Sequence, residues 1–454
     1  MSKSIRLKKG FDISIAGKAN STVVEADQPE TFAIKPTNFH GILRPKLTVA
    51  VGDNVKAGTP ILFDKKNERV KHVAPVSGEI VDIKRGEKRK LLEVVILADK
   101  QIEYEKFKSH SVSELASLSK EQVIEQMLEG GVWPHLIQRP YGIIAEADAS
   151  PKAIFISAFD SHPLAPDYNL LYKGQDQYFQ AGLDVLKKLT PGTLHLNVNA
   201  KSEVAPIFEH AKNVQINKFS GPHPAGNVGI QIHHLDPINK GELVWTIQPQ
   251  GVIQIGKLFL EGKHDASKTI ALTGSEVKTP QYYKTYTGAS IKKFVANNLN
   301  SDHVRFITGN VLTGEKIDAD GHIGFFDNQV TVIPEGDYYE LFGWIKPTTD
   351  KISFQRAFGL LSFLNPNKEF VADTNNRGQE RAFVQTGVFE QVLPMDVLPT
   401  HLIKSILAQD FDEMEALGIY EVVEEDLALC EFVDVSKHDI QDIIREGLDL
   451  MQYS

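Results

Sequence analysis

The run Gly221-Pro222-His223-Pro224-Ala225-Gly226-Asn227-Val228-Gly229 is the part of this sequence best suited to hold an anion. Backbone N–H groups of such a run cradle a phosphate or a flavin edge when a strand leads in and a helix N-terminus follows. Here two prolines remove donors, and Ile230 to Leu235 reads as a strand. The competing reading is a rigid turn that orients His223 or packs against another domain. His233-His234 with Asp236 suggests a metal by residue type, but adjacent histidines on a strand face opposite ways and do not easily share one ion. Trp133-Pro134-His135, Gln138 and Arg139-Pro140-Tyr141 supply flat faces and donors for a planar, partly polar ring. The plainer reading of that cluster is a linker between domains, anchored by its Trp and Tyr. Cys430 is the single cysteine, which excludes an internal disulfide and any all-cysteine metal or iron–sulfur site within one chain. Glu425, Asp426 and Glu431 around it predict an unreactive thiol. There is no G-x-S-x-G elbow, Walker loop or visible carboxylate pair. No catalytic, cofactor-binding or metal residue is assigned from chemistry alone.

The elements around these residues fall into four groups. Val51 to Gly58 and Val73 to Ile80 read as two matching strand–turn units of a lipoyl-type barrel-sandwich hybrid, with Pro75 and glycines at the turns. In carrier domains of this kind the modified lysine sits on the hairpin between the turns. That position falls on Asn67, with Lys65 and Lys66 out of register, so the barrel is expected to survive as scaffold without a swinging arm.

Lys120 to Leu128 is an expected amphipathic helix stopped by Gly130-Gly131. Strands at 153–157, 193–198 and 214–219 alternate with helices at 175–189 and 202–212, which predicts a mostly parallel, Rossmann-like α/β domain. Strands at 269–274 and 304–309 around a helix at 290–297 give a β-grasp (SLBB-like) layout. Residues 401–409, 411–417 and 438–451 carry apolar residues at helical spacing, and 365–378 reads as the most mobile loop. The expected division is a barrel with its N-terminal segment at 1–105, the α/β domain at 106–265, the β-grasp module at 266–345 and a linker with helical domain at 346–454.

A chain of 454 residues has room for several cores, and it holds no apolar stretch of about 18 residues that would span a bilayer. Its N-terminus has no apolar core of a signal peptide. Residues 1–100 carry 19 Lys/Arg against 12 Asp/Glu, whereas residues 401–454 carry 3 against 14. A basic head suits anionic lipid or an acidic partner; two differently solvated faces explain the same numbers. No basic stripe with interleaved aromatics is present, so nucleic acid is not an expected partner.

Several segments together resemble one family. They are Arg6 to Gly17, Leu43-Arg44-Pro45, Val73 to Gly78, Arg85-Gly86-Glu87-Lys88-Arg89, Gly131 to Tyr141, Phe159 to Asp167, Ser220 to Pro237 and Cys430 to Lys437. They resemble the A-subunit family of the sodium-translocating NADH:quinone oxidoreductases (Na+-NQR) along essentially the whole chain. The resemblance implies a peripheral protein at the cytoplasmic face of a bacterial inner membrane, one of six subunits in a complex and docked on the membrane-embedded B-subunit. That complex couples electron transfer from NADH to quinone to sodium export, and as a whole implies FAD, FMN, riboflavin and iron–sulfur. It also implies kinship with the C-subunit of the Rnf complex and with the flavin-binding subunit of respiratory complex I, so a stand-alone flavin- or NADH-binding reductase is the alternative. The flavin loop and clustered cysteines of those relatives are not recognisable, so no cofactor is expected in this chain. Phe39, His40, Arg44, Trp133, His135 and Arg139 are the expected quinone-proximal or subunit-docking residues.

Overall fold

The computed structural model describes residues 2–25, 28–342, 351–352, 354, 368–383 and 387–453. The first 34 residues are a thread that enters three different sheets. Strand β1 (Ser4–Arg6) runs parallel to Gln215–Ser220, β2 (Val23–Val24) runs parallel to Gln281–Tyr286, and β3 (Thr31–Ile34) lies antiparallel to Leu91–Ala98. The segment expected to belong to the barrel alone therefore ties all three sheet-containing parts together.

The barrel follows as β4 (Pro45–Leu47), β5 (Asn54–Val55), β6 (Pro60–Asp64), β7 (Asn67–Val73), β8 (Gly78–Arg85) and β9 (Leu91–Ala98). It closes as two facing sheets, β3-β9-β8-β5 and β4-β6-β7. Gly78 is obligatory: at φ +153° a Cβ would stand 2.0 Å from the Leu97 carbonyl oxygen. The tip of the β6–β7 hairpin is Lys65-Lys66, not Asn67, because Asp64 pairs with Asn67. The Asp64 carboxylate accepts the N–H groups of Leu43, Arg44 and Lys66, which fixes that register.

In the α/β part, α1 (Lys120–Glu129) starts at a Ser119–Gln122 capping box and stops at Gly130, with Gly131 at φ +68°. Next come β10 (Ile137–Arg139), β11 (Ile143–Ile144), β12 (Ala153–Ser157), α2 (Asp176–Leu186), β13 (Thr193–Asn199), β14 (Gln215–Ser220), α3 (Val228–Leu235), β15 (Val244–Thr246) and α4 (Pro249–Glu261). The sheet order is β1-β14-β13-β12-β15-β10-β11, parallel from β1 to β15. The helix expected at 202–212 is a single turn, Pro206–Glu209, since Pro206 can only begin a helix and Asn213 has turned left-handed at φ +64°. Residues 230–235, expected as a strand, form α3. Gly229, Ile230, Gln231, Ile232 and Leu235 are all buried, so no solvent face marks the helical period.

The β-grasp part is β16 (Ser267–Thr273), β17 (Gln281–Tyr286), β18 (Val304–Thr308), β19 (Glu315–Ile317) and β20 (Gln329–Pro334), in the order β19-β18-β20-β16-β17-β2. Its expected helix is one turn, Lys292–Val295, held on one side by the Ser290–His322 bridge and ended by Asn297 at φ +58°. The module shares a core with the barrel: Phe32, Ile61, Leu62 and Ile96 join Ile270, Leu272, Val330 and Val332. The last part is α5 (Pro399–Leu407), α6 (Phe411–Ala416), α7 (Glu424–Val433) and α8 (Ile440–Tyr453). Helix α7 has no counterpart in the pattern analysis, because Asp426 to Cys430 is buried without interruption. The loop expected at 365–378 lies partly outside the described residues; from Lys368 on it is tied through Phe370 to Ser14 and Ala16 and through an Arg377–Asp373 pair. No helix of the described residues is long and apolar enough to cross a membrane.

Helices α2 and α4 touch backbone to backbone through two glycines. A Cβ on Gly256 would stand 1.8 Å from the Tyr178 carbonyl oxygen, and one on Gly182 would stand 2.0 Å from that of Val252. Gly256→Ala is expected to lower stability by about 1–3 kcal/mol through overpacking. Urea titration should show this as a lower midpoint at unchanged slope.

Candidate functional site

The glycine-rich run does have the strand–turn–helix setting that an anion loop needs: β14 ends at Ser220 and α3 begins at Val228. The space beside Gly229, in the first turn of α3, is filled from within. A Cβ on Gly229 would lie 2.3 Å from Asp426 Oδ2 and 2.4 Å from Arg139 Nη1. Arg139, on β10, donates through Nη1 to Asp426 Oδ2 at 2.7 Å and through Nη2 to Glu425 Oε1 at 2.5 Å. The Val423 N–H also donates to Asp426 Oδ2, at 3.1 Å, and the Asn227 side-chain amide donates to the Glu425 carbonyl at 2.9 Å. Arg139 is 3% exposed and Asp426 1%. Burial alone would lower the Arg139 pKa, but Asp426 and Glu425 outweigh it and hold the guanidinium charged. The first turn of α7 thus packs its carboxylates against the first turn of α3 and pairs them with Arg139.

His223 is fixed inside the same loop. The Ser161 hydroxyl accepts the Gly226 N–H at 2.8 Å and donates to His223 Nδ1 at 3.0 Å, while the His223 N–H donates to Asp12 Oδ1 at 2.8 Å. Its ring lies 4.6 Å from that of His162, which donates from Nδ1 to Asp160 at 2.6 Å. Burial and the neighbouring His162 push His223 well below the ordinary histidine range, and Asp160 raises His162 against its burial. The rigid-turn reading of the loop describes this geometry. A cleft of about 860 Å3 opens over the carboxyl ends of β12 and β13, lined by Asp160, His162, Asn199, Ser202 and Tyr282 among others.

His233 and His234 lie on α3, not on a strand, and take separate partners. His233 bridges Glu421 and the Asp396 N–H, whereas His234 donates to the Ile230 carbonyl. Asp236 pairs with Lys152. Among the described residues no group of three or more His, Cys, Asp or Glu is placed to hold a metal. Cys430 is buried, and its thiol is pushed up by burial and by Glu390 and Asp434, not by the sequence neighbours expected to act on it.

The six residues expected at a quinone or docking site separate into an inner and an outer set. Trp133 is fully buried, donates to the Ala145 carbonyl at 2.7 Å and packs edge-on against Trp245. His135 donates to Gln254 Oε1 at 2.7 Å, and its ring lies 4.6 Å from Phe325. Phe39 meets the same Phe325 at 4.8 Å and His72 at 4.4 Å. Phe325, which the sequence did not single out, thereby joins barrel, α/β and β-grasp parts around a cavity of about 10 Å3, room for one water. Burial drives His72 and His135 down to about 3, so both are neutral in the folded chain. His40 and Arg44 are the outer set. His40 is half exposed and lies 3.5 Å from Glu424; beside it Leu43 and Arg44 face solvent.

Such an arrangement defines a multidomain protein whose glycine-rich loop packs against its own helical domain. Family models match in three places: the NqrA N-terminal barrel-sandwich hybrid domain at residues 5–99, the NqrA second alpha/beta domain at 118–264 and the NQRA C-terminal (SLBB) domain at 269–319. The chain is 38% identical over 451 residues to the A-subunit of the Na(+)-translocating NADH-quinone reductase of Alcanivorax borkumensis, covering 99% of each. It is 40% identical to that of Hahella chejuensis, covering 98% of each, and 39% identical to that of Neisseria meningitidis serogroup B, covering 99% of each. The chain belongs to this family, the A-subunits (NqrA) of the Na(+)-translocating NADH-quinone reductases. Among solved structures, a chain of an NAD+-reducing [NiFe]-hydrogenase covers 76% of this chain, which spans 66% of that one, at 10% identity and a TM-score of 0.39.

Two outcomes follow from this geometry. Asp426→Asn leaves Arg139 buried without its main counter-charge and is expected to cost about 3–5 kcal/mol, whereas Arg139→Met combined with Asp426→Leu costs less than the two single changes summed. A double-mutant cycle by chemical denaturation measures that coupling. His135 and His72 titrate near 6.5 when unfolded but only near 3 when folded, so their contribution is fully present above pH about 6.5 and is lost as pH falls toward about 3. His135→Asn is expected to reduce the pH slope of unfolding free energy in that window by about 1.4 kcal/mol per pH unit.

Proposed function

We propose that this chain is the docking subunit of a membrane-bound sodium pump that passes electrons from NADH to quinone, and that it has no redox chemistry of its own. The observation that carries this reading is the loop at Gly221–Gly229, which is packed at Gly229 against the buried Asp426–Arg139 pair. The same closure counts against a stand-alone flavin- or NADH-binding reductase. In this reading the FAD, FMN, riboflavin and iron–sulfur groups of the complex reside on its other subunits. The chain lies peripherally on the cytoplasmic face of the bacterial inner membrane, against the B-subunit.

His40, Leu43 and Arg44 form the contact we assign to that docking, because they combine an exposed apolar side chain with cationic donors. Phe39, Trp133, His135 and Arg139 serve from inside, by fixing the barrel against the α/β and helical parts. A quinone tail prefers hydrocarbon to such a domain, so the ring is taken to bind in the membrane-embedded part of the complex next to this face. The domain limits that follow are those of the sequence analysis, with the N-terminal thread shared among three parts.

Purified alone, the chain is expected to be colourless and not to oxidise NADH; bound yellow chromophore or NADH oxidation would overturn the reading. Produced together with the other subunits, it should co-purify with sodium-dependent NADH:quinone turnover. Leu43→Asp with Arg44→Glu is expected to lower both co-purification and turnover by about tenfold, the effect of about 1.4 kcal/mol, at unchanged melting temperature.

A further inference from the structure

The β8–β9 hairpin carries a motif, Arg85-Gly86-Glu87-Lys88-Arg89-Lys90, that neither the core nor the docking contact uses. Its turn is closed by the Lys90 N–H donating to the Glu87 carbonyl at 3.0 Å and the Gly86 N–H donating to that of Lys90 at 2.9 Å. Both central residues are left-handed, Lys88 at φ +52° and Arg89 at φ +62°. A two-residue hairpin turn of that kind favours Asn-Gly, because a side chain with a Cβ is crowded there. The chain instead places two long cations at the tip and braces them with Arg85, whose Nη1 donates to the Arg89 carbonyl at 3.1 Å.

Arg85, Lys88, Arg89 and Lys90 are all exposed. Their neighbour Lys84 is paired with Glu93 at 3.0 Å, but among the described residues none of these four takes part in an ion pair. Strained backbone that persists on the surface, carrying charge with no internal use, indicates selection for something outside the chain.

We infer that the β8–β9 hairpin is a contact for the phosphate headgroups of an anionic phospholipid bilayer. Protein interfaces are enriched in aromatic residues, Met and Arg, are depleted of Lys and Glu, and draw most of their binding energy from large side chains packed in desolvated pockets. The tip from Arg85 to Lys90 offers no aromatic and no apolar side chain. Lipid headgroups need none, since each Lys or Arg near an anionic surface adds its own attraction. The inference deepens the peripheral placement proposed above and rests on it.

The test uses the full chain and sedimentation with vesicles of phosphatidylcholine containing phosphatidylglycerol, against vesicles of phosphatidylcholine alone. Binding is expected only to the anionic vesicles and should fall about fivefold for each of the four charges removed. Lys88→Asn with Arg89→Gly relieves the turn while removing two charges, so it should raise the melting temperature and still weaken binding. Equal binding to both vesicle types overturns the inference, as does unchanged binding when all four residues are replaced by Gln. Replacing Lys173, Lys201, Lys212 and Lys278 by Gln should leave binding unchanged; an equal loss there means diffuse attraction, and the hairpin assignment falls. If the hairpin variants bind vesicles normally but lose co-purification with the other subunits, the hairpin is a protein contact instead, and the docking-subunit reading survives without this inference.

Discussion

A guanidinium with 3% of its surface exposed must be neutralised where it lies, and among the described residues Arg139 is neutralised by carboxylates almost three hundred positions later. That requirement fixes the helical domain against the α/β sheet. Removing one partner of a buried pair is far more damaging than removing both, because the remaining charge has no water to turn to. The pair also sets the chemistry. By packing its own carboxylate against Gly229 in the first turn of α3, the chain fills the space beside its glycine-rich run.

The N-terminal thread adds a second constraint of the same sort. Three short strands, each too small to be stable alone, contribute an edge to the α/β sheet, to the β-grasp sheet and to the barrel. With barrel and β-grasp sharing one core and Phe325 wedged between Phe39 and His135, the parts cannot be separated without exposing apolar surface. Side chains at these junctions are held relative to one another by packing.

Charge is arranged to match. The histidines at the junction are kept neutral by burial. The basic and acidic ends of the chain are not two opposed faces throughout. His40 lies 3.5 Å from Glu424, and the Lys66 ammonium lies 4.9 Å from the Tyr453 ring, so part of the basic head packs against the last helices. At the β8–β9 tip Arg85, Lys88, Arg89 and Lys90 stand outside any ion pair among the described residues.

The sequence alone determined the four kinds of fold and the family, because turn glycines, alternating strands and helical periods are local signals. The strands at 153–157 and 193–198 were legible nearly to the residue, as was α1 with its glycine stop. The two errors at the candidate site have one physical cause. Helices α3 and α7 are buried on nearly every side, so neither shows the polar face by which a helix is recognised. Those two helices meet at the candidate site. Reading Ile230 to Leu235 as a strand removed the helix from the loop, and leaving out α7 removed the carboxylate that fills it. The residue types Arg139, Glu425, Asp426 and Gly229 were all visible. That they converge within hydrogen-bond distance, and that this convergence closes the loop, is a fact of long-range packing that no local pattern encodes.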